Sequence, residues 1–111
     1  MPFHSILSTL IETHRPTARA AIFCDDEGER VDSFALPDIA AFDVALLGAA
    51  LAPVARSVPP GSCMRILQLD RTVWVATVEG GYYLVVLCDV VKDGGVRLDL
   101  PRAVAALAAH M

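Results

Sequence analysis

The run YYLVVLCDV, Tyr82 to Val90, limits the fold more than any other part of the chain. Along an extended strand successive side chains alternate sides. Tyr83, Val85 and Leu87 point one way, and Leu84, Val86 and Cys88 the other. Both sides are apolar. A sheet wet on one face alternates apolar with polar residues instead. This strand therefore belongs to a sheet covered on both faces by helices. Two more apolar runs precede it, CMRILQL and TVWVATV, separated by DR and by EGG. Gly80-Gly81 suits a tight turn, and Asp70-Arg71 is a weaker turn signal. Runs this short, joined by so little, are strands of an antiparallel meander.

Upstream, ARAAIFC and ERVDSFAL flank the acidic tract DDEG, whose Gly28 can take the positive φ of a hairpin turn. Before them, Ser5 to His14 places Ile6, Leu7, Leu10 and Ile11 on one helical face, and Pro16 ends the pattern. At the other end VVKDGG reads as a loop. Asp99 then caps a last helix near Leu100-Pro101, with Val104, Leu107 and Ala108 on one face. The expected order is α-ββ-α-βββ-α in one α+β domain over residues 1–111. The central helix would take one face of the sheet and the two terminal helices the other.

The central segment, LPDIAAFDVALLGAALAPVARSV, is the difficult one. Asp38 is a candidate N-cap, the helix should run to about Arg56, and Pro53 should kink or break it near its end. Between Ile39 and Ala55 the only charge is Asp43. One stripe is Ala40, Val44, Leu47, Leu51 and Val54. A second is Ile39, Phe42, Leu46, Ala49 and Ala50. Small residues, Ala41, Ala45, Gly48, Ala52 and Ala55, make up the rest. One stripe can cover the chain's own sheet. The second calls for a further cover, because each large apolar side chain left in water forgoes about 1.5–3 kcal/mol. The simplest cover is the same helix of a second subunit across a two-fold axis, approached closely over the small face.

Composition supports this. The chain is 55% hydrophobic over 111 residues, with a mean hydropathy of +0.52, so it has much surface to hide. A net charge of −4 and scattered basic residues argue against a nucleic-acid partner. The start lacks a signal-peptide pattern, and no uninterrupted apolar stretch is long enough to enter a membrane. Cys24, Cys63 and Cys88 have neither zinc nor disulfide spacing and read as buried thiols in strands of a cytoplasmic protein. His4, His14 and His110 form no metal pair, and Asp25, Asp26 and Glu27 lack the spacing of a calcium loop. No nucleophile has a base, and no glycine pair opens a phosphate loop, so neither catalysis nor a cofactor is expected.

Taken in order, AAIFCDDEGERVDSF, the Ala/Leu-rich central helix, MRILQLDRTVWVATVEGGYYLVVLCD and the Gly94-to-Arg97 element resemble the Roadblock/dynein light-chain domain family. The chain looks like a free-standing prokaryotic member, similar to the MglB group of small-GTPase regulators. The resemblance implies a five-stranded antiparallel sheet of order 2-1-5-4-3, with the third strand at an edge. It also implies a homodimer that pairs that edge, Cys63 to Leu69, and the central helix with their counterparts. The interface residues would then be Ile39, Phe42, Leu46, Ala49, Ala50, Cys63, Arg65, Leu67 and Leu69. Family members serve as non-catalytic platforms for Ras-like small GTPases, and Asp43 and Arg56 are the candidate GTPase contacts. A dimeric scaffold that leaves GTP hydrolysis unchanged is the alternative. A small-molecule sensor ranks behind both, since the sequence offers no convergent polar pocket.

Overall fold

The computed structural model describes residues 2–89 and 94–111, and the side chains of Ala41, Phe42 and Gly94 lie outside that description. The elements are α1 (Pro2–Thr13), β1 (Ala18–Cys24), β2 (Arg30–Ala35), α2 (Ala41–Ala50), α3 (Ala52–Ser57), β3 (Cys63–Leu67), β4 (Arg71–Thr77), β5 (Tyr83–Asp89) and α4 (Gly94–Ala109). All strand pairings are antiparallel, and the sheet order is β2-β1-β5-β4-β3. The expected order and sheet topology both hold.

The two apolar faces of β5 enter two separate cores. Leu84, Val86 and Cys88 join Phe23, Trp74 and Ala76 beneath α1 and α4, which contribute Leu7, Leu10, Ile11, Leu100 and Leu107. Tyr83, Val85 and Leu87 join Ile22, Val73 and Val75 beneath α2 and α3, which contribute Val44, Ala52 and Ala55. This is the three-layer arrangement that the alternation in β5 requires.

The turns follow their residues. Gly28 sits at φ 88 in the β1–β2 hairpin, where the Asp25 carboxylate accepts the amides of Glu27 and Glu29. Gly80 and Gly81 both have positive φ between β4 and β5.

Two local expectations are corrected. Asp38 does not cap the central helix: Ala40 holds the N-cap position, and the Asp38 carboxylate pairs with Arg19. The expected break near Pro53 is present: the helix breaks at Leu51 (φ −91, ψ 2), and Pro53 lies in the first turn of α3, where its missing N–H is tolerated. The last helix begins at Gly94, so Asp99 lies within it and Pro101 is interior. Residues 90–93 of the expected VVKDGG loop are outside the described residues. In α4 the residues turned to the core are Val96, Leu100, Ala103 and Leu107, with Val104 and Ala108 at its margin.

The thiol expectation also needs correction. Cys24 and Cys88 are buried, but Cys63 is exposed, because it begins an edge strand.

Candidate functional site

The central helix reaches its sheet through its small residues. A Cβ on Gly48 would stand 2.9 Å from Cys24 Sγ and 3.1 Å from Ile22 Cγ2. Ala52 and Ala55 are buried on the same side. Tyr83 Oη donates to the Gly48 carbonyl at 2.7 Å, fastening β5 to the last turn of α2. Burial raises the Tyr83 pKa, and burial likewise raises that of Cys24 beside it. The small face therefore serves close approach to the chain's own sheet, where the sequence suggested a second backbone. A glycine in mid-helix was the available signal, since it marks close packing as readily as a weak helix.

The opposite side of α2 is turned outward. Leu46 is 53% exposed, and Asp43, Ala49 and Ala50 are exposed beside it. Ile39 is half-buried against the α2-side core. Phe42 lies on the same helix, with its side chain outside the described residues. Asp43 lines a shallow cleft of about 150 Å³ with Asp38 and Arg71, over a floor that includes Val44, Leu47 and Leu87. Asp43 is thus a surface charge on the flank of α2 that faces the start of β4.

Beyond β4, at the edge of the sheet farthest from β2, is β3. The strand ends at Leu67, and Leu69 stands fully exposed at the hairpin tip. Met64 and Leu67 are exposed as well, Leu67 at 64%. The register divides the strand between the two faces of the sheet. Ile66 and Met64 lie beside Val73 and Val75, on the α2 side. Cys63, Arg65 and Leu67 lie beside Ala76, Trp74 and Thr72, on the terminal-helix side, with the Arg65 guanidinium 5.7 Å from the Trp74 ring centre. The candidate strand residues therefore sit on the edge but do not share a face with α2. Met64 and Ile66 do. Strand alternation read against β4 was the signal for them.

Arg56 is exposed near the end of α3, on a cleft of about 720 Å³ that also includes Asp26 and Glu79, and Gly61 and Thr77 near the start of β3. Among the described residues no group of three or more His, Cys, Asp or Glu side chains could hold a metal ion, and no helix is long and apolar enough to cross a membrane.

MglC from Myxococcus xanthus superposes with a TM-score of 0.82 at 20% identity, over the full length of both chains. The chain has the Roadblock/LC7 fold. MglB of Myxococcus xanthus gives 0.80 at 17% identity, covering 97% of this chain and 93% of that one. A Roadblock/LC7 domain from Streptomyces avermitilis gives 0.68 at 21% identity, covering 96% and 92%. No protein-family model matches the sequence, and no curated protein matches it. The Roadblock/LC7 likeness is thus carried by the path of the chain. At this identity the side chains on the outer face of α2 and on β3 belong to this molecule and must be read from it.

Proposed function

We propose that this chain is a non-catalytic, cytoplasmic homodimer that binds and regulates a small Ras-like GTPase. The observation that carries the reading is the β3 edge. It is an open strand bearing Met64 and Leu67, and on the sheet face that Met64 shares, α2 presents Leu46 to solvent. An uncovered apolar edge is an aggregation hazard unless a partner strand covers it. A two-fold pairing of β3 with its counterpart would cover it and bring the two α2 helices together.

The likeness of fold to MglB and MglC, together with the sequence resemblance, supports the GTPase as partner. Asp43, on the flank of α2, and the exposed Arg56 are the charges on this side of the sheet that we assign to that contact.

The test is to add the purified chain to Ras-like GTPases encoded beside it and to measure complex formation, GTP hydrolysis and nucleotide exchange. A saturable complex with a change in either rate is expected. Binding without a rate change would favour the scaffold reading, and the absence of both would overturn the proposal.

A further inference from the structure

The two ends of α2 are held in different ways. The C-terminal end has no slack. A Cβ on Gly48 would stand 2.9 Å from Cys24 Sγ, and the Gly48 carbonyl accepts the Tyr83 hydroxyl at 2.7 Å. At the N-terminal end Ala40 is the N-cap residue, and no side-chain hydrogen bond caps the first turn. The cleft of about 150 Å³ runs there, between Ala40, Asp43, Val44 and Leu47 of the helix side and Arg71 and Leu87 of the sheet. An uncapped helix end over open space frays unless something else holds it.

Arg19 holds it. Ala18 and Ala20 of β1 pair with the consecutive Cys88 and Leu87 of β5, so Arg19 is the extra residue of a bulge. A bulge re-aims a side chain. Here the guanidinium pairs with the carboxylate of Asp38, in the loop before the N-cap, and its Nη1 lies 3.9 Å from Asp89 at the end of β5. Arg19 Nε is buried and makes no hydrogen bond among the described residues, so Asp38 carries the tie from this side chain to the helix. The Arg19 side chain is 24% exposed and that of Asp38 62%, so an incoming charge can reach the pair from the Asp38 side.

We propose that Arg19 and Asp38 form a latch for α2, and that the helix is hinged at Gly48. With the latch closed, Val44 stays seated on the sheet and Asp43 and Leu46 are presented in one direction. With it open, the first turns lift away from the cleft while the Gly48 end stays fastened. A basic side chain of a partner that reaches Asp38 competes with Arg19 and opens the latch. Its use in regulation rests on the assignment of the outer face of α2 to partners; the hinge itself does not.

Amide hydrogen exchange tests the hinge, in a Leu46→Glu background so that the outcome does not depend on whether the chain pairs. Asp38→Asn and Arg19→Met should each speed exchange at Val44 and Leu47 by about fivefold, the size expected of a largely exposed ion pair. Asp38 is exposed, so Asp38→Asn keeps the fold. Ile22 and Val85 in the sheet, and Leu51 at the hinge end, should keep their rates. The double variant should exchange no faster than either single one, because both remove the same contact. Raising the salt from about 0.05 to 0.5 M should speed the same two amides in the parent and leave Asp38→Asn unchanged. Unaltered rates at Val44 and Leu47 would overturn the inference. So would additive effects in the double variant, an equal rise at Ile22 and Val85, or a salt response that survives Asp38→Asn.

Discussion

At the β2 edge, α1 packs on one face of the strand and α2 on the other. The strand carries the exposed Arg30 and the half-buried Asp32. Arg30 donates to Ser33 Oγ, the Asp32 carboxylate accepts the Ser33 amide, and His4 of α1 comes within 3.5 Å of Asp32. At the β3 edge the strand's main contacts are with β4 alone, and all of its residues except Ile66 are exposed. Charged side chains and covering helices are the usual ways a chain closes a sheet edge against other chains. One edge is closed in this way, and the other, apart from Arg65, is apolar and open. The molecule is complete by itself at β2, and at β3 we propose that a partner completes it.

Within α2, Leu46 faces out and Gly48, two residues on, faces in. Leu46→Glu should leave the monomer folded and weaken self-association by more than a hundredfold. The proposed interface would lose a leucine from each subunit, at about 1.5–3 kcal/mol apiece. Sedimentation velocity reads the association, and circular dichroism reads the fold. Gly48→Leu should do the reverse and destabilise the monomer by about 3 kcal/mol, because its added atoms meet Cys24 and Ile22. Urea unfolding measures that loss. If both variants changed the same property, the inner and outer faces of α2 would not be distinct.

A smaller effect is expected away from both edges, where α1 is fastened to α4. Asp99 receives two hydrogen bonds from Arg102, at 2.5 and 2.8 Å, and one contact from His14 Nε2 at 2.9 Å. Arg102 foremost, helped by His14, holds the Asp99 pKa down from 3.8 to about 2. A carboxyl lowered by folding contributes stability above its unfolded pKa, and that stability is lost as pH falls through its folded pKa. Asp99→Asn should therefore cost about 1–2 kcal/mol at pH 5, with the gap to the wild type closing toward pH 2. Urea titrations at a series of pH values check it. Smallest is Tyr83→Phe, which removes the hydrogen bond to the Gly48 carbonyl and should cost about 1 kcal/mol by the same measurement.

Much of the fold is legible in the sequence because it rests on alternation and periodicity. The two apolar sides of β5 required two helical layers, and Leu7, Leu10 and Ile11 of α1 are buried as their spacing requires. What escaped was decided by tertiary partners. Asp38 has the chemistry of a cap, but Arg19 claims its carboxylate. Pro101 looked like a helix start, yet α4 carries it in its interior. The small face of α2 suited a second subunit as well as the chain's own sheet, and only the approach of Gly48 to Cys24 separates the two. At the candidate site the edge position of β3 was readable through the family resemblance. The assignment of Met64 and Ile66 to the α2 side depends on the register with β4, which no local pattern states.

We propose that a second copy of the chain completes β3 and the outer face of α2. Sedimentation equilibrium of the unmodified protein across a range of concentrations should show a species of twice the 11.8 kDa chain mass that persists on dilution into the micromolar range. A single 11.8 kDa species at every concentration, with β3 still open to solvent, would contradict it.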